Sequence, residues 1–135
     1  MANSESGKNQ PIEFLVSDRT KELGLPFSDA VRVGNVIHVS GNIGVTPATM
    51  ELVPGGVAAE TKQILENIRG VLERSGSSMD KVIKCIVMMA DMSEWAEMNK
   101  VYVTFFPENL PARSAFGTTG LVLGARVEIE CIATV

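Results

Sequence analysis

One short segment near the end of the chain places a fixed positive charge among small and apolar residues. In the run Pro111-Ala112-Arg113-Ser114, the guanidinium of Arg113 stays protonated at any physiological pH. A charge in such surroundings needs a partner, and the planar guanidinium fork suits a carboxylate, which it can bind through two hydrogen bonds. We therefore regard Arg113 as the best candidate in the sequence for binding a small anion.

A second segment supplies carboxylates at the spacing of a β-strand. Over residues 126–133, one face of the predicted strand is apolar, and the other carries Arg126, Glu128 and Glu130. If the strand of Arg113 folds back antiparallel on this one through a turn near residues 120–121, Arg113 comes opposite Glu128 on the same face. A glutamate beside a bound anion could then hold a water for attack. A salt bridge between the two, or a solvated face of alternating charges, explains the same pattern and stays open.

The composition indicates one globular domain and argues against several classes of function. The chain has 135 residues, of which 45% are hydrophobic and 21% charged, which is enough for a packed core. A net charge of -4 with scattered lysines and arginines argues against a nucleic-acid surface. Residues 1–10 are polar, and no apolar run approaches the roughly 20 residues that cross a bilayer. We expect no secretory signal, no membrane segment and a cytoplasmic location.

The cysteines and the histidine do not form a metal-binding pattern. Cys85 and Cys131 each stand in an apolar, strand-like run, and the chain has one histidine and no CxxC motif. Buried, reduced thiols are expected, although the sequence alone leaves a disulfide open. No metal is expected.

The apolar periodicity predicts an α+β domain over residues 11–135, preceded by a flexible tail over residues 1–10. Helices are predicted over residues 57–74, with Gly76 as the stop, and over residues 95–106. A tight turn is predicted at Gly34-Asn35. Loops are predicted over residues 20–26 and 41–56, and strands over residues 12–16, 27–33, 35–40, 81–90, 112–117 and 125–135.

The predicted strand over residues 81–90 is apolar on both faces. Ile83 and Cys85 fall on one face with Val87 and Met89, whereas the other face carries Val82, Ile86 and Met88. A sheet with helices on one side only would show polar alternation on its second face. We therefore expect another subunit to cover that face.

Three motifs, at residues 36–44, 111–114 and 127–133, together closely resemble the RidA/YjgF family of enamine/imine deaminases. They read VIHVSGNIG, PARS and VEIECIA, and the resemblance runs from about Phe27 to the end of the chain. It implies a chorismate-mutase-like α+β fold, with two helices on one face of a mixed six-stranded sheet, and a homotrimer with clefts between subunits. It also implies hydrolysis of reactive 2-imino acids, or their enamine tautomers, to 2-oxo acids and ammonia without a metal or organic cofactor. The composition, as argued above, predicts no nucleic-acid and no membrane partner.

The same resemblance implies roles for individual residues. Arg113 would bind the substrate carboxylate, and Glu128 would hold or activate the attacking water. The remaining positions expected at the cleft are Ser40, Gly41, Asn99, Phe27 and the backbone at Ala115.

This chain departs from the family pattern at two of those positions. Phe27 stands where family members usually carry tyrosine, so a hydroxyl is missing, and Ala115 stands where a cysteine is frequent. Because of Phe27, the alternative function is a non-catalytic trimer of the same fold that binds 2-oxo acids or has a regulatory role. Ribonuclease activity, which has been attached to some relatives, is disfavoured by the absence of a basic surface.

Overall fold

A computed structural model describes residues 10–135, so almost all of the tail predicted over residues 1–10 lies outside the described residues. The longest element is a 19-residue helix, and three of the strands have eight residues each. The strands are β1 (Ile12–Leu15), β2 (Ala30–Val33), β3 (Val36–Ile43), β4 (Val45–Thr46), β5 (Glu51–Leu52), β6 (Val82–Met89), β7 (Ala112–Gly117) and β8 (Val127–Thr134). The α-helices are α1 (Asp18–Glu22), α2 (Gly56–Arg74) and α3 (Trp95–Tyr102).

Six strands form one mixed sheet in the order β1-β2-β3-β8-β6-β7. The neighbours are antiparallel except β6 and β7, which run parallel. Helix α2 packs across β3 and β8, and α3 packs beside α2, so the core lies between the helices and one face of the sheet. The predicted α+β architecture with a six-stranded mixed sheet is confirmed.

Helix α2 ends where its sequence signal places it. Gly76 follows the helix with φ +85°, a conformation that glycine adopts without a steric penalty. The Ser77 amide donates to the Leu72 carbonyl at 2.8 Å and the Gly76 amide to the Glu73 carbonyl at 3.3 Å. These two bonds form a Schellman motif, which satisfies the last carbonyls of the helix.

Both predicted loops contain regular structure. Within residues 17–22 the Ser17 side chain accepts a hydrogen bond from the Thr20 amide, and this cap starts the short helix α1. In the second loop, β3 continues to Ile43 and is followed by the small hairpin of β4 and β5. Gly41 does not end the strand, because a β-bulge between Val39 and Asn42 accommodates it.

At the start of β6, a second bulge changes which residues face the helices, so the faces predicted there are wrong. The register with β8 shifts between Val82 and Lys84, so Val82 and Ile83 exchange the faces that simple alternation predicts for them. Val82 is buried on the helix side with Cys85, whereas Ile83 is 49% exposed. Further along β6, Ile86 and Met88 are only half-buried on the face away from the helices. The prediction that this strand is apolar on both faces is confirmed there.

The predicted antiparallel pairing of the last two strands is wrong. Strand β7 pairs parallel with β6, and β8 lies on the other side of β6, so β6 separates them. The reason is the crossover from β6 through α3 to β7, since a helix between two strands returns the chain parallel to the first. Strand β8 instead takes a central place, where Val127, Ile129 and Ala133 are fully buried. Across residues 10–135, no helix is long and apolar enough to cross a membrane.

Candidate active site

Arg113 lies on the edge strand β7, and its side chain turns towards helix α3. Its Nη1 donates a hydrogen bond to Asn99 Oδ1 at 2.7 Å. Its guanidinium carbon lies 4.8 Å from the centre of the Tyr102 ring and 5.8 Å from that of Trp95. The three α3 residues follow one another at i, i+4 and i+7, so they share one face of the helix. The guanidinium is therefore held by neutral groups that fix its orientation.

The charge of Arg113 has no carboxylate partner among residues 10–135, where every ion pair involves another arginine. A neutral amide and aromatic rings orient a cation without cancelling its charge; each such contact contributes on the order of 1 kcal/mol. Ala115 lies two residues further along β7 on the same face, partly buried against the core. This corner of the sheet is therefore suited to bind an anion.

Arg126, close to the start of β8, serves a different purpose. Its Nε and Nη2 donate to Glu94 Oε1 at 2.8 and 2.6 Å, and Asp91 lies 3.9 Å away. Its backbone amide donates to the buried carboxylate of Glu60 at 2.8 Å. Since its charge is already neutralised, Arg126 ties the loop before β8 to the helices and is no candidate for binding a substrate anion.

Glu128 lies on β8 and points to the face of the sheet opposite the helices, because Val127 and Ile129 on either side are buried beneath α2. Its carboxylate rests against the backbone of Gly41, where a Cβ atom would overlap Oε2 and stand 3.1 Å from Cδ. Burial raises the pKa of the Glu128 carboxyl above its ordinary value, and the charge of Glu130 raises it further. A carboxylate with a raised pKa is a stronger base for accepting a proton from water.

The β-bulge in β3 brings Gly41 against Glu128, and Ser40 precedes Gly41 in the same bulge. The Ser40 hydroxyl donates to the Ser28 carbonyl at 2.6 Å, and the Ser40 amide donates to the Asp29 carbonyl at 3.0 Å. These bonds hold the segment before β2 against the bulge. Phe27 directly precedes this anchored segment and leaves 51% of its surface exposed. It is available as an aromatic wall close to the bulge.

The predicted site residues therefore fall into two groups on opposite sides of the sheet. The first, which we call the cation half, comprises Arg113, Asn99 and Ala115 on the helix side of the β7 edge. The second, the carboxylate half, comprises Glu128 on the other face and Gly41 of the bulge against it, with Ser40 and Phe27 joined to that bulge through the segment before β2. The expectation that Arg113 and Glu128 share one face of one chain is wrong, because β6 lies between their strands and their side chains point in opposite directions.

Tyr102 and Trp95 contact Arg113, although neither was among the site residues predicted from the sequence. The spacing of Trp95, Asn99 and Tyr102 was the available signal, since it places an amide and two aromatic rings on one helix face. Tyr102 is 2% exposed and its hydroxyl has no hydrogen-bond partner among the described residues. Burial raises the pKa of this hydroxyl, so it stays protonated.

In the described part of the chain, no cluster of three histidine, cysteine or acidic residues could hold a metal ion.

Comparisons with known proteins agree on one family. Residues 20–135 match the family described as endoribonuclease L-PSP. A 2-iminobutanoate/2-iminopropanoate deaminase of Mus musculus is 44% identical over 108 residues, which are 80% of each chain. The crystal structure of RidA from an Antarctic Psychrobacter bacterium superposes with a TM-score of 0.78 at 40% identity, covering 82% of this chain and 89% of that one. The YjgF gene product of E. coli superposes with a TM-score of 0.83 at 30% identity, covering 90% and 98%.

Proposed function

This chain belongs to the endoribonuclease L-PSP family, also called RidA/YjgF, and on that premise we propose that it hydrolyses reactive 2-imino acids or their enamine tautomers to 2-oxo acids and ammonia. The proposal rests on one observation, the unneutralised guanidinium of Arg113. It is oriented by Asn99 and Tyr102, and no carboxylate within residues 10–135 neutralises it. The carboxylate of a 2-imino acid is the partner that such a guanidinium lacks.

The reaction needs only positioning and proton transfer from this chain. Arg113 binds the substrate carboxylate, which fixes the adjacent imine carbon. Glu128 accepts a proton from a water as that water adds to the imine carbon, and returns it to nitrogen. In the resulting carbinolamine the hydroxyl proton passes to nitrogen, the carbon–nitrogen bond breaks, and ammonia leaves as the carbonyl of the 2-oxo acid forms. An imine is already electrophilic, so orientation and a placed water account for the chemistry.

The site is completed between two protomers. Since the cation half and the carboxylate half lie on opposite sides of one sheet, the β7 edge of one protomer must meet the open face of another. The half-buried Ile86 and Met88 and the 47% exposed Phe116 make that open face partly apolar, which supports its burial by a neighbouring subunit. A closed homotrimer with three equivalent clefts would join the two halves at each interface and bury the open face of each protomer. We place this trimer in the cytoplasm.

The assembly can be tested by mass in solution. We expect light scattering after gel filtration to give three times the chain mass of 14.5 kDa. A second readout is a loss of imine hydrolysis on dilution to concentrations at which the protomers separate. A monomeric mass at concentrations where the protein is fully active would contradict a site shared between protomers.

The activity can be tested by coupling the protein to a pyridoxal-phosphate-dependent threonine dehydratase, which releases an imine of 2-oxobutanoate. With semicarbazide present as a trap, the protein should lower the yield of semicarbazone and raise the rate of free 2-oxobutanoate formation.

Phe27, which lacks a hydroxyl, favours the second candidate function, a non-catalytic trimer that binds 2-oxo acids. That function predicts calorimetric binding of 2-oxobutanoate while semicarbazone formation stays at the rate seen without the protein.

The close approach of Gly41 to Glu128 gives a specific probe of the carboxylate half. We expect Gly41→Ala to lower kcat/KM about tenfold to a hundredfold, because the new Cβ displaces the Glu128 carboxylate. The free energy of unfolding should change by no more than about 1 kcal/mol, since the obstructing group is the end of a flexible side chain. Gly44→Ala is the contrasting variant. Its Cβ would come 2.7 Å from the Cα of Glu60 in α2, so it should lower thermal stability. A fully active Gly41→Ala protein would contradict the placement of Glu128.

A further inference from the structure

Two thiols face each other directly across the central strands. Cys85 on β6 and Cys131 on β8 are paired residues of an antiparallel register. Residues so paired have Cα atoms about 4.5–5.5 Å apart, inside the range of about 4.4–6.8 Å that disulfides span. Their Sγ atoms are in contact at 2.7 Å, and both residues are free thiols. The spacing of the two strands therefore lies within the range that a disulfide spans.

This thiol pair lies directly behind Arg113. Along one row of the sheet, Arg113 pairs with Cys85, and Cys85 pairs with Cys131. Tyr102 covers the same spot from the helix side, with its ring 4.8 Å from the guanidinium carbon. The hydrogen bond with Cys131 lowers the pKa of the Cys85 thiol, and the nearby charge of Arg113 lowers it too. The contact with Cys85, together with burial, raises the pKa of Cys131. These shifts, together with the position of Cys85 beside the edge strand β7, favour Cys85 as the attacking thiol.

We propose that Cys85 and Cys131 form a reversible disulfide within the folded protein, which makes the substrate-binding corner around Arg113 sensitive to peroxide. The thiolate of Cys85 attacks one oxygen of hydrogen peroxide, giving a sulfenic acid and hydroxide. The thiol of Cys131 then displaces the sulfenic hydroxyl as water, and the sulfur–sulfur bond forms. In total, two thiols lose two electrons and two protons, and one peroxide is reduced to two waters.

Peroxide can reach these sulfurs although Cys85 and Cys131 are at most 1% exposed. Cys85 lies one strand in from β7, the edge of the sheet, so a local opening of β7 exposes it to a reagent of nearly the size of water. A bulky alkylating reagent needs a larger opening, and it should react slowly with the folded protein. The disulfide should then report on peroxide without loss of the fold.

The test is mass spectrometry of the folded protein after exposure to hydrogen peroxide. The sample is denatured in excess iodoacetamide, and we expect the parent chain to lose two hydrogens and take up no alkyl group. Peptide mapping should join the peptide of Cys85 to that of Cys131, and dithiothreitol should restore two alkylatable thiols. A parallel sample, refolded from denaturant in a glutathione buffer, should give the same link. Two free thiols in both samples, a sulfinic acid, or a link between two chains would overturn the proposal.

The variant Cys131→Ala separates the disulfide from other effects of peroxide. It should show no loss of two hydrogens, and Cys85→Ala serves as a second variant if this one folds poorly. The link to the site rests on the proposed function and is measured separately. Imine hydrolysis by the parent should fall several-fold in kcat/KM on oxidation and recover with dithiothreitol, while Cys131→Ala should not respond. A complete disulfide with an unchanged rate would contradict the coupling to Arg113 and leave the disulfide itself established by mass.

Discussion

The variant Arg113→Ala is expected to lower kcat/KM for 2-imino acid hydrolysis by about a hundred- to a thousandfold. Truncating one partner of a buried, hydrogen-bonded charge pair costs about 2–5 kcal/mol, and each 1.4 kcal/mol is tenfold in rate. Arg113→Lys should lie between this variant and the parent. Lysine keeps the positive charge, but it lacks the planar guanidinium fork and loses the hydrogen bond to Asn99 Oδ1.

Arg69→Ala is the matched control for this prediction. Arg69 also lies over an aromatic ring, 5.1 Å from the centre of Phe105, and it pairs with Glu66 at 3.0 Å on α2. Arg69→Ala removes similar surface contacts but changes no residue of either half of the site, so kcat/KM should stay within about twofold of the parent value. Thermal melts of both variants check that each still folds. If Arg113→Ala retains as much activity as Arg69→Ala, Arg113 does not bind the substrate carboxylate.

The second large effect is expected for Glu128→Gln, which should lower kcat by about 10²–10⁴-fold with little change in KM, because it removes the base and keeps the shape. Only the ionised carboxylate accepts a proton from water, so the parent's activity should fall as the pH drops through the pKa of Glu128. Burial raises that pKa, so this acid limb should lie above the ordinary glutamate value of about 4.3. The residual activity of Glu128→Gln should lack the limb.

Glu130→Gln is the control for the carboxylate. Glu130 is exposed on the same strand and face, and its charge contributes to the raised pKa of Glu128. Removing that charge should shift the acid limb to lower pH while kcat at its plateau stays near that of the parent. Equal losses of kcat in the two variants would show that Glu128 has no special role.

Local signals in the sequence were sufficient for the elements whose ends carry them. Helix α2 was predictable from its apolar spacing and from Gly76, and the hairpin of β2 and β3 from Gly34-Asn35, where Gly34 adopts φ +57°. Such signals involve residues that are close in sequence and depend on backbone conformations that few residue types allow. The motif residues were found because they recur in a known family.

Strand partners and bulges could not be predicted in the same way. The alternation in β7 and β8 shows which residues share a face, but it does not show which strand lies alongside, and β6 proved to separate Arg113 from Glu128. Likewise, the extra residue of the bulge at Ser40-Gly41 does not stand out in the sequence, yet it places the backbone of Gly41 against Glu128. Both are long-range properties of the sheet.

The central claim is that each active site takes Arg113 from one protomer and Glu128 from another. It can be tested most directly by unfolding the inactive variants Arg113→Ala and Glu128→Gln together in equal amounts and refolding them. In a closed ring of randomly mixed protomers, about one cleft in four would receive both native residues, so roughly a quarter of the parent's activity should return. Each variant carried through the same procedure alone should stay inactive. If the mixture is no more active than the two variants refolded separately, the site is not shared between protomers as proposed.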